Sequence, residues 1–512
     1  MLHVAMASGE PRASLRARFG PRRRAAAPQS GVLTTLMPWL SLAACVLLFV
    51  GASTLLGAGP SGPSGGALSF LRSPPAPPFR SEAGPPLPPA PPPAQCASLV
   101  SAFVAASDAR AAGRRAAAAS SPPLSNVSFF LHVPRTAGRT LLFCALKLGL
   151  PPSRRCSRSY DRLRVDPRAP PCELVSSHDD FRLAEALPGS PRLFTQLRDP
   201  VQRVLSAYEF AVEVAARGLG HRTARAERKA SKAESRTDTA QVWPWRHLVP
   251  LMERDLDARA AARRDGSLRE LRGPGYNCSV VMPLHEFIDH PMAQELIHDG
   301  ATMQLLGLTA QPPGAGEGAS EAEAAALRAC ARAGGAPAQA LLDAAIARLR
   351  DDFAAVLLKE RLRESVAVAA AVAGTPLAGP SWRSMRDSDD DAHKRALAAA
   401  RTDAERAAAD AAYDTKGKSR DTLAVAHAKC TARQREKAAA RRKRGTQRLR
   451  FGDGTALRFE RAELAPAVAA ALAAANALDV RLHAEAARIF EARRQELAKA
   501  GRLEELPPET KG

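Results

Sequence analysis

Aromatic side chains are sparse: tyrosine and tryptophan occur 4 times each among 512 residues. Alanine, arginine, proline and glycine are heavily used instead, so the chain holds less folded structure than the two or three domains its length allows. The same bias accounts for much of the net charge of +21. Blocks of basic residues in such a background read as solvated runs, and no nucleic-acid partner is expected. Zinc spacing is missing too, because the 8 cysteines include no C-x-x-C pair and no His/Cys cluster. The phosphate-loop pattern GxxxxGK[ST] is absent at its diagnostic glycine and lysine, which excludes an ATPase. No strand end offers a second acid to hold Mg²⁺, and no metal is expected.

What is present begins with an uncharged stretch, residues 32–56 (VLTTLMPWLSLAACVLLFVGASTLL), long enough to cross a bilayer as one helix. Six arginines and a single acid, Glu10, precede it. The expectation is a cytosolic basic tail (1–31), a signal anchor (32–56) and a remainder facing the lumen or exterior, as in a single-pass type II membrane protein. A cleaved signal peptide and an organelle transit peptide are the competing readings. Two sequons, at Asn126 and Asn277, fit lumenal exposure. Beyond Cys45 seven cysteines remain, an odd number, so at least one stays unpaired or bonds another chain. Cys156 and Cys172 bracket a loop that an oxidising compartment would close.

Residues 57–124 are rich in proline, glycine and alanine and read as an extended stem. A single domain is expected over 125–500, interrupted at about 376–460 by a charged, low-complexity insert, disordered or a solvated helix. Within the domain, "VSFFLHV" reads as a strand leading through a small-residue turn into the helix "TLLFCALKLGL". A second strand, "RLFTQL", runs into "RDPVQRVLSAYEFAVEVAA", where Asp199 caps a helix and Pro200 fits its first turn. A third strand is expected near Phe353–Leu357, a helix over 476–497, and a variable basic excursion over 216–275. Strands alternating with helices predict an α/β fold: a P-loop-like central parallel sheet flanked by helices, with ligands at the carboxyl ends of the strands.

The turn after the first strand, Arg135-Thr136-Ala137-Gly138-Arg139-Thr140, offers backbone donors and fixed charge, the combination that holds a phosphate. Arg198 stands at the end of the second strand, with Ser206 about two helical turns beyond and Arg203 one turn before Ser206. An arginine fork makes paired bonds to phosphate oxygens. Taken alone, each is also an ordinary polar turn, a salt-bridging arginine or a helix-packing serine.

Together, "FFLHVPRTAGRTL" and, some sixty residues later, "LFTQLRDPVQRVLSAYEF" resemble the two cofactor-binding signatures of Golgi carbohydrate sulfotransferases, most of all the heparan sulfate 2-O- and 6-O-sulfotransferases. The resemblance implies the co-substrate 3′-phosphoadenosine 5′-phosphosulfate. By position, Arg135 replaces the family's lysine at the phosphosulfate, Thr136 to Thr140 cradle the 5′-phosphate, and Arg198 with Ser206 grip the 3′-phosphate. Arg139 is a departure, an added charge where the family prefers a hydroxyl. Tyrosylprotein sulfotransferases also carry arginine in a similar loop. The resemblance makes a glycan hydroxyl the expected acceptor; tyrosylprotein sulfotransferase and a non-catalytic relative binding acidic polysaccharide are the alternatives. Transfer needs a base of near-neutral pKa, hence a histidine. His178 in "SSHDDF" resembles the family's catalytic histidine; His132, inside the first strand, is the alternative.

Overall fold

The computed structural model describes residues 87–120, 127–156, 172–187, 189–225, 242–272, 275–309, 319–383, 385, 387–461 and 464–506. The expected tail and membrane span, half of the stem and Asn126 lie outside them. Among the described residues no helix is long and apolar enough to cross a membrane.

The elements used below are, in chain order, α1 (Pro93–Ser120), β1 (Ser128–Leu131), α2 (Gly138–Leu141), β2 (Leu174–Ser177), β3 (Arg192–Leu197), α3 (Pro200–Arg225) and α4 (Trp245–Arg264). They continue with α5 (Gly300–Leu306), α6 (Gly335–Asp351), β4 (Phe353–Leu358), α7 (Leu362–Ala373), β5 (Pro380–Trp382) and α8 (Asp387–Ala399). The last are α9 (Asp403–Gly417), β6 (Lys418–Thr422), α10 (Leu423–Thr446) and α11 (Ala477–Lys499). α2 runs on without a break through a π-helical turn, Leu142–Leu146, and a last turn, Lys147–Gly149.

β1 to β4 form a parallel sheet in the order β2-β1-β3-β4. "FFL" and "FAAVLL" are continuous apolar runs, "RLFTQL" is buried after its first residue despite Thr195 and Gln196, and every residue of β1 and β2 is buried. Strands covered on both faces carry such runs because no side faces water. The register sets Leu131 beside both Ser177 and Thr195, so the segments after β1, β2 and β3 leave the sheet at one edge. Lys359, just past β4, donates its N–H to the Leu197 carbonyl at 2.9 Å and joins that edge.

Three expectations are corrected. The stretch read as stem becomes helical at Pro93: proline is favoured in a helix's first turn, and Cys96, Val100 and Phe103 form a buried stripe against the main core. A disulfide joins Cys96 to Cys330. The excursion over 216–275 contains α4, whose Trp245, Leu248 and Met252 pack with Val204, Leu205 and Tyr208 of α3 in a second core. The charged insert is folded as well. Its β5 and β6 pair antiparallel, a Thr402–Glu405 capping box starts α9, and a Cys144–Cys430 disulfide ties α10 to the π-helical turn. The third disulfide closes the Cys156–Cys172 loop, and Cys278 is a free, buried thiol.

Candidate functional site

At the end of β1 the chain turns sharply. Arg135 and Ala137 have φ of 69° and 67°, a left-handed backbone that L-residues adopt at a cost on the order of 1–3 kcal/mol each. The Thr136 hydroxyl donates to the Val133 carbonyl at 2.8 Å, closing the turn from within. Ala137 is the residue before the helix, and its carbonyl accepts from Thr140 N at 2.8 Å. The N–H groups of such a first turn have no carbonyl one turn back and face whatever the loop encloses. Gly138 is required by close approach, since a Cβ there would lie 2.2 Å from His132 Cδ2. Arg139 is exposed, with its guanidinium 5.5 Å from the Phe143 ring.

The second signature meets this turn directly. Arg198 Nη1 donates to the Arg135 carbonyl at 3.1 Å, and Arg135 Nε donates to Ser206 Oγ at 3.0 Å. The Arg135 guanidinium lies over the Phe210 ring at 4.3 Å. Asp199 caps α3 by accepting from Gln202 N at 2.8 Å, which fixes the helix face bearing Ser206 and Phe210. Burial lowers the pKa of Arg135 to about 10, and burial with the nearby Arg461 charge does the same for Arg198. Guanidinium stays protonated in proteins, so the cause of the lowering is that burial removes water from two groups that remain charged. Among the described residues the Nη atoms of Arg135 have no hydrogen-bond partner, and Arg198 Nε is buried without one. No carboxylate bonds either fork, although Glu213 and Glu209 near Arg135, and Glu360 and Glu209 near Arg198, offset part of the charge. A phosphate would satisfy both forks, which is the fit the bound co-substrate needs.

Arg203 does not join them. It is buried, and its Nη2 donates to Asp479 Oδ2 at 2.9 Å and to the Ile297 carbonyl at 2.6 Å, a structural tie to α11. Asp479 also accepts from Ala301 N, Thr302 N and the Thr302 hydroxyl, capping α5.

His178 follows β2 and His132 follows β1, both buried, with ring centroids 4.1 Å apart. His178 Nδ1 donates to the His132 carbonyl at 3.0 Å, the only role open to that nitrogen beside a carbonyl oxygen, which leaves Nε2 as the acceptor of the neutral ring. Burial holds the His178 pKa at about 4, partly offset by that bond, and the fields of Arg139 and Arg135 push in the same direction as burial. His132 is lowered well below the usual range by burial and by His178.

Two residues were missed by the sequence reading. Gln304 of α5 is fully buried, and its amide donates to the carbonyls of His178 and Asp179 at 3.0 Å each and of His132 at 3.3 Å. A lone amide inside the apolar run "TMQLLGL" was the available signal. Lys359 brings a further cation to the strand edge, its pKa lowered by burial and by Arg198. A cation directly after "FAAVLL" marks a strand end in the same way as Arg198. Cavities of about 440 and 270 Å³ lie elsewhere, one beside α11 and one at the opposite ends of the strands; neither is lined by Arg135, His178 or Arg198. The strand-edge junction is the candidate site because it leaves guanidinium hydrogen-bond capacity unused.

The chain is similar to a protein-tyrosine sulfotransferase of Arabidopsis thaliana, with 40% identity over 258 residues. The match covers 49% of this chain and 50% of that protein, so the chain spans about half the length of the curated relative it matches. No family model and no solved structure matches. The similarity supports the sulfotransferase part of the resemblance. It gives no support to the carbohydrate subtype.

Proposed function

We propose that the protein transfers a sulfuryl group from 3′-phosphoadenosine 5′-phosphosulfate to the phenolic hydroxyl of tyrosine in proteins. The observation that carries the donor assignment is the junction in which Arg198 holds the Arg135 backbone while Arg135 reaches Ser206. One cation from each signature is then brought to one junction, with hydrogen-bond capacity left over. When bound, the co-substrate supplies the sulfuryl group, whose sulfur bonds to the acceptor oxygen as its bond to the 5′-phosphate breaks.

Each side chain has a distinct task in this reading. Arg135 neutralises charge gathering on the leaving phosphate, and as a permanent cation it does so without giving up a proton. The turn from Thr136 to Thr140 presents backbone N–H groups, and Arg198 with Ser206 holds the 3′-phosphate. His178 Nε2 accepts the proton of the acceptor hydroxyl. A histidine of pKa about 4 is a weak base, which favours an acidic acceptor such as a phenol near pKa 10 over a far less acidic sugar hydroxyl. That argument and the Arabidopsis protein-tyrosine sulfotransferase support tyrosine over the expected glycan. The three disulfides support an oxidising compartment, in keeping with the lumenal, membrane-anchored arrangement proposed from residues 32–56.

The test is incubation with labelled donor, a tyrosine peptide and a heparan-like glycan in competition. Label is expected on the tyrosine oxygen. Label on the glycan alone would overturn the acceptor assignment, and donor-independent binding of either would overturn the enzymatic reading.

A further inference from the structure

The sequon Asn277-Cys278-Ser279 takes no part in the donor site. It lies in the irregular segment after α4, which packs back into the second core. From Gly275 to Leu284 every residue is buried but one, Asn277. Its neighbours are held inward. The Tyr276 hydroxyl donates to Glu209 Oε1 at 2.6 Å, and its ring lies 5.4 Å from that of Phe459. Leu284 N donates to the Tyr276 carbonyl at 2.8 Å, and Met282 N donates to Asp255 Oδ2 at 2.6 Å. On the other side, Ser279 N donates to the Leu271 carbonyl at 3.3 Å, and the Ser279 hydroxyl accepts from Leu271 N at 3.0 Å. With both flanks turned to the core, Asn277 is turned to solvent. Its amide makes no hydrogen bond to the described residues.

An N-linked glycan is bulky and hydrophilic, so only an asparagine that stays at the surface after folding can carry one. Asn277 meets that condition in a segment where nothing else does. The buried, bonded Ser279 hydroxyl means that addition comes before this segment folds, while the chain is still extended. Cys278 fits that order. Six of the seven cysteines beyond Cys45 are joined in the three disulfides, and Cys278 is left as a thiol 1% exposed. Its pKa is raised by burial. No disulfide closes the sequon before it is modified, and the odd cysteine of the sequence ends sealed in the core.

We propose that Asn277 is an N-glycosylation site, its glycan projecting from the surface over the second core. The amide nitrogen bonds to the anomeric carbon of a lipid-diphosphate-linked oligosaccharide as that carbon's bond to the diphosphate breaks. The nitrogen gives up a proton and the lipid diphosphate leaves. The site rests on the lumenal arrangement and is independent of the donor reading.

The test expresses the full chain in a eukaryotic secretory cell and treats it with peptide-N-glycosidase, which releases N-glycans and leaves aspartate at each occupied position. The expected result is a mobility shift on treatment, with position 277 read as aspartate by mass spectrometry. Asn277→Gln should abolish that glycan, whereas Ser279→Thr, which keeps the hydroxyl, should retain it. Asn126→Gln should leave it in place. Alkylation without reductant, in denaturant, separates two failures. Unmodified Asn277 in a chain whose six paired cysteines resist alkylation until reduced overturns the site and leaves the lumenal arrangement standing. Unmodified Asn277 in a chain whose cysteines all react without reductant overturns both.

Discussion

Two arginine arrangements, one buried and one half-buried, meet the same helix, α3, and they differ in what answers their charge. Arg203 has a side chain 3% exposed and faces a carboxylate, Asp479, which is 2% exposed and accepts three further hydrogen bonds. Arg135 and Arg198 hydrogen-bond only to a serine hydroxyl and a backbone carbonyl, both neutral, while the carboxylates of Glu213, Glu209 and Glu360 act on them without a direct bond. The first arrangement leaves Arg203 Nε without a partner but sets its charge against a carboxylate, and it holds α3, α5 and α11 together. The second is incomplete, and its backbone is held in left-handed conformations at the point of incompleteness. An arginine whose charge is met by the fold is structural; one whose charge is left for a ligand is a binding group.

The comparison can be pressed by substitution. The largest effect is expected from His178→Ala, which should lower kcat by about 10²–10⁴-fold while leaving nucleotide affinity within a few-fold of wild type. Lost nucleotide affinity would instead make the histidine part of the donor site. In the wild type, the neutral ring is competent above its pKa and protonated below it. With that pKa near 4, kcat/KM should hold down to about pH 5 and fall only as pH drops through about 4. A fall centred near 6.5 would show that the base is exposed or is another group.

Arg203→Ala should act on stability, costing about 3–5 kcal/mol in denaturant unfolding because Asp479 is left buried and unpaired. A merely small loss would mean that water replaces the guanidinium. Gln304→Met should have the smallest effect, about tenfold in kcat, by releasing the carbonyls that align the His178 segment. Added to His178→Ala, it should cost little more, since Gln304 works through that ring. Full additivity of the two would sink the positioning role.

Much of the sheet was legible because short apolar stretches in β1, β3 and β4 run into turn or cap signals, and the capped start of α3 because Asp199-Pro200 is a strong local signal. β2 was not: "LVSS" has two serines, and only pairing beside β1 makes it a strand. The Pro93 helix was hidden by composition, since proline and alanine dominate both the extended segment and the helix that follows. α10 carries Leu423, His427 and Thr431 on one buried stripe, a helical spacing within a charged run. Its fastening to Cys144, 286 residues away, has no local signature. The same holds for Arg203, which resembles Arg198 until Asp479, distant in sequence, appears beside it. The turn and its two arginines were legible as a pair; which buried arginine would find a carboxylate depended on tertiary packing.

The central claim is that Arg198 and Ser206 hold a 3′-phosphate while the Arg135 turn holds the 5′ end of the same molecule. The most direct measurement is calorimetric titration with 3′-phosphoadenosine 5′-phosphate and with adenosine 5′-phosphate, in wild type and in Arg198→Ala. A wild-type preference for the 3′-phosphorylated nucleotide of about 100-fold, abolished in the variant, is the expected result, as charge-assisted bonds to a phosphate allow. Equal affinity for both nucleotides in the wild type, or a preference that survives Arg198→Ala, would contradict it.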